Sequence, residues 1–192
     1  MPVPKTALVA GSQVHLRRPT ASDSSAFIEL AKASARLHRG WVQAPATKIQ
    51  YDAYLRRFAG VAAHDNKLAT HVGLLLCRNS DQALMGVFNL SEIVRSAFQS
   101  SYLGYYAFAP AAGQGYMADG LALVFKFGFR TLKLHRIEVN VQPANVRSVA
   151  LVRRAGLTRE GFSRRYVKVA GRWRDHERWA MLVEDWRARR TK

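Results

Sequence analysis

Apolar side chains in the first third of the chain follow first a strand period and then a helical one. Residues 14–19 alternate apolar and polar side chains, which predicts a first strand. Residues 24–38 carry apolar side chains at helical spacing, and Thr20 with Asp23 forms a capping pair before them. A similar capping pair precedes residues 48–60, where we predict a second helix that ends at its glycine.

Three apolar segments in the middle of the chain return to the strand pattern. Residues 69–78, 82–93 and 101–108 are rich in aliphatic and aromatic side chains, and the turn sequence Asn-Ser-Asp separates the first two. This pattern predicts an antiparallel meander. The apolar spacing becomes helical again over residues 117–132, where we predict a longer helix.

The last third of the chain predicts a strand, a short helix and a hairpin. The strand covers residues 135–142, and the helix is capped by Asn145 and ended by Gly156. Two further strands, over residues 161–170 and 172–183, meet at an Ala-Gly turn. The remaining residues form a basic tail.

The resulting order, βααβββαβαββ, predicts an α+β fold around a mixed, mostly antiparallel sheet of about seven strands. No repeat or linker interrupts the pattern, so we assign residues 1–192 to a single domain whose core spans about residues 12–186. A hydrophobic content of 48% agrees with a folded globular protein.

Charge is the unusual feature of the composition. Thirty Lys and Arg residues against thirteen Asp and Glu residues leave a net charge of +17, which favours anionic partners such as nucleic acid or a polyphosphate. Cys77 is the only cysteine and lies in an apolar run, so we expect it to pack in the core. No signal peptide or membrane span is evident, and we expect a cytoplasmic protein that does not bind membranes.

A glycine-bearing turn, Ala-Ala-Gly-Gln-Gly-Tyr-Met at residues 111–117, joins the third meander strand to the longer helix. Such a turn directs bare backbone N–H groups at an anion. Gly113, Gly115 and Ala118 also satisfy the dinucleotide-binding fingerprint. That fingerprint belongs to a doubly wound parallel sheet, whereas an antiparallel meander precedes it here. A turn that only joins strand to helix is the alternative.

Four ordered motifs resemble the GNAT acetyltransferases. The first is the strand that precedes the glycine turn, and the second is the turn with its helix. The third is the strand His-Arg-Ile-Glu-Val-Asn-Val-Gln, and the fourth is the segment Asn-Val-Arg-Ser-Val-Ala-Leu-Val-Arg-Arg-Ala-Gly. Residues 89–108 and 167–181 resemble the RimJ-type ribosomal-protein alanine N-acetyltransferases more closely. The resemblance extends from about residue 14 to residue 186.

The resemblance implies acetyl-CoA as the bound anion. Backbone N–H groups of the turn would hold the pyrophosphate, and backbone groups of the preceding strand would pair with pantetheine, where the two central strands splay apart. The implied turn residues are Ala112, Gly113, Gln114, Gly115, Tyr116 and Met117, and the implied strand residues are Tyr106, Ala107 and Phe108. The family pattern has Gln or Arg at the position of Ala112, so no polar side-chain contact is expected there.

The resemblance also implies the catalytic groups. Ser148 stands at the position of the hydroxyl that protonates the departing thiolate, and Asn145 at that of a residue that contacts pantetheine. From spacing alone the two are a helix cap and its first turn. Glu92, at a strand end, is the candidate proton acceptor for the amine, with a solvated carboxylate as the alternative. The six histidines show no metal-ligand spacing, so no metal is expected.

The acceptor is an amine whose identity stays open at this stage. The positive charge disfavours aminoglycosides and polyamines, and it suits a protein N-terminus on the ribosome if RNA supplies negative charge. Basic and aromatic residues interleave over 161–174, which is typical of RNA contact or of an ordinary basic hairpin. We expect residues 38–47 to line the acceptor site. A small-amine acetyltransferase and a non-catalytic RNA-binding factor remain as alternatives.

Overall fold

The computed structural model describes residues 4–59 and 68–189, and it contains one mixed sheet flanked by helices. Eight strands are present: β1 (Val9–Ala10), β2 (Val14–Arg17), β3 (Val72–Arg78), β4 (Leu84–Val94), β5 (Ser100–Ala107), β6 (Arg136–Val141), β7 (Thr158–Val169) and β8 (Arg172–Leu182). The helices are α1 (Ser24–Ala33), α2 (Ala35–His38), α3 (Lys48–Phe58), α4 (Tyr116–Arg130), α5 (Val146–Arg154) and α6 (Val183–Ala188).

The strands lie in the order β1-β2-β3-β4-β5-β6-β8-β7. Neighbours pair antiparallel except β5 and β6, which are parallel. Three register pairs join β5 to β6, from Ser100 with Arg136 to Tyr102 with Glu138. Beyond them the two strands separate, as the family resemblance predicts. This separation places a gap in the middle of the sheet.

Hydrophobic cores cover both faces of the sheet. On the face that we call the α4 face, the helices α4, α5 and α6 pack against β2 to β6. On the opposite face, the α1 face, α1 and α3 pack against β3, β4 and the end of β5. Gly120 lets α4 approach closely, since a Cβ there would lie 2.6 Å from the Phe88 ring. Cys77 is fully buried, as predicted.

The predicted helix 24–38 is two helices that meet at Ser34. The Ser34 hydroxyl donates to the Leu30 carbonyl at 2.6 Å and accepts from the Ala109 N–H at 2.8 Å. Ser34 thus ends α1 and connects it to the segment after β5. Helical periodicity does not distinguish one helix from two, because this break depends on a residue 75 positions away.

Three other element predictions change in detail. An eighth strand, β1, pairs with β2 through Val9 and Ala10. The predicted basic tail begins with α6, where Trp186 packs against Phe129 with ring centroids 5.4 Å apart. The predicted end of the second helix at Gly60 lies outside the described residues. Within residues 4–59 and 68–189, no helix is long and apolar enough to cross a membrane.

Candidate active site

The gap between β5 and β6 leaves backbone groups of β5 without a strand partner. Phe108 donates its N–H to the Met85 carbonyl on β4 at 2.9 Å. Groups facing the partner alternate along an antiparallel strand, so Tyr106 also faces β4. Tyr105 and Ala107 therefore face the gap. Phe108, which we expected to supply a backbone group to pantetheine, thus uses its N–H within the sheet. By the same alternation Tyr105, and not Tyr106, presents its backbone groups to the gap.

The glycine turn presents a run of unpaired backbone donors. Gly113 and Gly115 have φ angles of +80° and +86°, which residues other than glycine rarely adopt. The N–H groups of residues 113 to 117 have no hydrogen-bond acceptor among the described residues. Gly115 caps the N-terminus of α4, where the helix dipole is positive. Five unpaired donors at a helix N-terminus are an arrangement that suits an anion.

The same turn shows that Ala112 plays a different part from its neighbours. Its N–H donates to the Ala109 carbonyl at 3.2 Å, so it offers no free donor. The Gln114 amide donates back to the Pro110 carbonyl at 2.6 Å. A Cβ placed on Gly113 or Gly115 would have no atom within 4 Å. The space above the two glycines is therefore open to a ligand.

Ser148 reaches the gap from the first turn of α5. Asn145 caps this helix, because its side-chain oxygen accepts from the Ser148 N–H at 3.2 Å. The predicted C-terminal glycine is also present, since Gly156 has a φ of +76°. The Ser148 hydroxyl lies 2.7 Å from the Tyr105 hydroxyl on β5. The helix cap thus coexists with a hydroxyl pair at the α4 face of the gap.

The end of α2 and the residues that follow it contact the ends of the two strands that border the gap. The buried ring of His38 donates through Nε2 to the Ala107 carbonyl at 2.8 Å. The Gln142 side chain, just after β6, donates to the Gly40 carbonyl at 2.9 Å. The predicted acceptor segment, residues 38–47, therefore begins across the end of the gap. Hydrophobic periodicity gives no signal for these two contacts, since each joins distant parts of the chain.

Glu92 lies apart from Ser148. It occupies a bulge near the end of β4 with a φ of +49°, and its side chain is 60% exposed. His71 and Arg57 are 3.4 and 3.8 Å from its carboxylate. The structure does not bring Glu92 into contact with the hydroxyl pair. It does place Glu92 on a small cavity of about 230 Å³ at the start of the gap.

Sequence reasoning missed Glu138, the carboxylate at the last paired position of β5 and β6. Its side chain is 13% exposed, accepts from Arg136 at 2.9 Å and lines the same cavity as Glu92. A larger cavity of about 450 Å³ lies beside the glycine turn and is lined by Arg17, Arg78 and Gln114. It opens next to α1 and not between β5 and β6, so it is distinct from the gap.

Comparisons with known proteins agree with this geometry. Residues 13–158 match the family described as the acetyltransferase (GNAT) domain. A probable N-acetyltransferase of Bacillus subtilis, YjcK, is 38% identical over 115 residues, which cover 60% of this chain and 62% of that protein. The alanine N-acetyltransferase of ribosomal protein uS5 from Escherichia coli is 37% identical over 106 residues, or 55% of each protein.

The solved structure of Mycobacterium smegmatis RimJ in complex with CoA-disulfide has the same fold, with a TM-score of 0.81 at 24% identity. It aligns with 90% of this chain and 83% of that one. The match to the two curated relatives spans less than two thirds of their length. The family match covers most of the chain, and the chain belongs to the GNAT acetyltransferase family.

Proposed function

We propose that the protein is an acetyl-CoA-dependent N-acetyltransferase. The observation that carries this proposal is the run of five unpaired N–H groups beside a gap between two parallel strands. The first feature suits a pyrophosphate and the second suits an extended chain that pairs with free backbone groups. Members of the family use acetyl-CoA, and the RimJ structure holds a CoA derivative.

The residues present fit this cosubstrate. We assign the pyrophosphate to the N–H groups of residues 113–117, because the open space above both glycines admits a phosphate close to the backbone. Pantetheine would pair with the backbone groups of Tyr105 and with the N–H of Ala107, whose carbonyl already accepts from His38. It would pass Asn145, whose side-chain amide nitrogen stays available after the cap is made. Ala112 and Phe108 contribute to the shape of this site but no N–H.

The chemistry needs a neutral amine, a stabilised oxyanion and a proton for the leaving sulfur. A new C–N bond forms as the C–S bond of the thioester breaks, so the amine loses one proton and the sulfur gains one. A protein α-amino group has a pKa of about 7.7–8.0, which leaves a useful fraction neutral. Ser148 would donate the proton to the sulfur, and a free N–H of β5 would stabilise the oxyanion.

The amine proton leaves on the opposite face of the sheet. Tyr102 is 40% exposed on the α1 face, and nothing lies within 4 Å of a Cβ placed on Gly104. An acceptor can therefore approach the gap from this face while CoA occupies the other. Glu92 lies beside this opening, and we retain it as the proton acceptor. Glu138 is held by Arg136 and suits the binding of an ammonium group.

We propose an N-terminal α-amino group of a ribosomal protein as the acceptor. The named activity of the uS5 relative and the open approach over Gly104 support a peptide end. The net charge of +17 disfavours polyamines. A small amine is the second candidate, because residues 38–40 cross one end of the gap and could close a compact pocket.

RNA is the partner that we propose for the hairpin of β7 and β8. The strand β8 pairs with β6 only from Glu177 onward, so the tip of the hairpin extends beyond the sheet. Trp173 is 60% exposed there, and Phe162, at the base of this tip opposite Glu177, is 47% exposed. The tip also carries five cations, Arg164, Arg165, Lys168, Arg172 and Arg174. Exposed aromatic and basic side chains together suit unpaired bases and phosphates. We propose a cytoplasmic location, which a ribosomal partner would require.

One assay tests the enzymatic proposal. The protein is incubated with acetyl-CoA and a panel of N-terminal peptides, free amino acids and polyamines, and thiol release is followed. We expect release with peptides whose first residue is small, alanine above all, and mass spectrometry should find the acetyl group on the α-amine. Release with polyamines alone would favour the small-amine alternative. Binding of acetyl-CoA without release on any acceptor would contradict the proposed activity.

A further inference from the structure

Ser148 and Tyr105 form an isolated pair of hydroxyl groups. Their oxygens are 2.7 Å apart, and neither oxygen has another hydrogen-bond partner among the described residues. Serine in the first turn of a helix often bonds to nearby backbone, whereas here only the N–H of Ser148 is used, by Asn145. The orientation of the Ser148 hydroxyl is therefore determined by a tyrosine 43 residues earlier in the chain.

Two arrangements of hydrogen are available to this pair. If Ser148 donates, the phenol hydrogen of Tyr105 points into surroundings where no acceptor is present among the described residues. If Tyr105 donates, the Ser148 hydrogen remains free to point into the gap. A phenol is a stronger hydrogen-bond donor and a weaker acceptor than an alcohol, so the second arrangement is favoured. Burial also raises the pKa of Tyr105 to about 12, although Ser148 lowers it, so the phenol keeps its hydrogen at neutral pH.

We infer that Tyr105 is a positioning residue: its phenol donates to Ser148 Oγ and thereby directs the Ser148 proton at the sulfur of CoA. This inference rests on the proposed acetyltransferase function. In the complete reaction the sulfur takes the Ser148 proton, and the phenol proton passes to Ser148 Oγ, because a serine alkoxide is a stronger base than a phenolate. Solvent restores the proton of Tyr105 after CoA has left. In the complex with CoA alone no proton moves between the two hydroxyls, and the phenol affects only the strength of the hydrogen bond from serine to sulfur.

Alternation along β5 explains why tyrosine occupies this position. Tyr105 faces α5 on the α4 face, and its ring packs 5.8 Å from that of Phe88. Phenylalanine would preserve this packing. The packing therefore explains an aromatic ring at this position but does not explain the hydroxyl group. The neighbouring Tyr106 points to the other core, where its buried hydroxyl has no hydrogen-bond partner among the described residues. The two tyrosines thus differ in what their hydroxyl groups contact.

Binding of CoA and of desulfo-CoA, which lacks the sulfur, tests this inference without turnover. Affinities are measured by calorimetry at about pH 7 and about pH 9.5. The thiol of cysteine has a pKa of about 8.5, the less acidic thiol of CoA begins to ionise above that pH, and a thiolate accepts a stronger hydrogen bond. We expect the preference of the wild type for CoA over desulfo-CoA to rise roughly tenfold between the two pH values, as a bond to a charged acceptor implies. Ser148→Ala should abolish most of this rise.

Tyr105→Phe should abolish a similar share of the rise, and the double variant should lose no more than Ser148→Ala alone, since both changes remove one interaction. The control is Tyr51→Phe. It also removes a buried phenol hydrogen bond, 2.8 Å to the Thr20 carbonyl, but in the other core. We expect Tyr51→Phe to keep the wild-type rise, which separates positioning from a general loss of stability.

The outcomes distinguish the inference from the proposed function. If Ser148→Ala loses the rise and Tyr105→Phe keeps it, Tyr105 does not position Ser148, and the acetyltransferase proposal stands. If the wild type binds CoA and desulfo-CoA alike at both pH values, Ser148 does not meet the sulfur, and the inference is overturned. If neither molecule binds, the proposed function fails and the inference fails with it.

Discussion

At the scale of single residues, the backbone angle of Gly115 exposes the N–H groups that we assign to the pyrophosphate. Its φ of +86° turns the chain so that successive N–H groups point outward at the start of α4. Any other residue would be strained in that conformation and would also place a Cβ in the open space. Ser148 differs from Gly115 in this respect. Its position follows from a helix cap, and several residue types can form such a cap.

The residue Gly115 can be tested by substitution with valine. We expect Gly115→Val to weaken CoA binding at least tenfold, since loss of one hydrogen bond to a charged phosphate costs about 1.5–3 kcal/mol. Calorimetry measures the affinity. Gly171→Val is the matched control, because Gly171 has a φ of +79° in the β7–β8 turn and its Cβ would also meet nothing. Equal effects of both changes would assign the loss to strain.

Ser148 can be tested by removal of its hydroxyl. We expect Ser148→Ala to lower kcat by about 10²-fold or more, as the loss of a general acid does, and to change the KM for acetyl-CoA much less. Steady-state kinetics with an N-terminal peptide gives both constants. A variant with wild-type kcat would leave Ser148 as a residue of the α5 first turn.

At the scale of elements, the joint between α1 and α2 is tied to the glycine turn. Ser34 accepts from Ala109, the first residue of the short turn that leads to Gly113. His38, at the end of α2, holds the last carbonyl of β5. The helices on the α1 face therefore help to position the backbone that we assign to CoA.

We expect a change at this joint to affect both the stability of the fold and the binding of CoA. Ser34→Ala removes the acceptor of the Ala109 N–H, and we expect it to lower the free energy of unfolding by about 1–3 kcal/mol and to weaken CoA binding. Urea denaturation and calorimetry measure the two effects. Ser25→Ala, on the exposed side of α1, should change neither. Unchanged CoA affinity in Ser34→Ala would show that the turn holds its shape without this bond.

At the scale of the whole molecule, positive charge is spread widely but concentrates on an extended element. The tip of the β7–β8 hairpin carries basic side chains on a two-stranded segment that no helix covers. It is separate from the hydroxyl pair and from the glycine turn. The hairpin contacts the acceptor side of the gap where the Tyr166 hydroxyl lies 3.5 Å from that of Tyr102. Docking on an anionic particle can therefore be changed separately from acetyl transfer through side chains other than Tyr166.

Salt dependence tests this separation. Neutralising phosphates releases counterions, so cosedimentation with ribosomes should weaken steeply between ~50 and ~200 mM salt. We expect Arg164→Gln, Lys168→Gln and Arg172→Gln together to weaken cosedimentation and reduce the salt slope, with acetylation of a free peptide unchanged. The control triple, Lys126→Gln, Lys133→Gln and Arg187→Gln, removes the same charge elsewhere. Salt-independent cosedimentation would assign the charge to solubility.

Local chemistry alone was enough to predict most elements and part of the candidate site. The period of apolar residues located seven of the eight strands, because alternation records which face of a strand is buried. The glycine turn and the Asn145 cap were also predicted from the sequence, because a positive φ and a helix cap each require particular residue types at particular positions. The family resemblance added the expectation that β5 and β6 separate.

Tertiary structure decided which of these local features meet. The pairing of Tyr105 with Ser148, the link from Ser34 to Ala109 and the contact of His38 with Ala107 join residues 43, 75 and 69 positions apart. No local pattern records such contacts. Whether a residue of β5 faces β4 or the gap likewise depends on register, and a shift of one residue reverses every orientation. The sequence therefore determined the elements and the glycine turn with its free donors, and packing determined which hydroxyl and backbone groups face the gap.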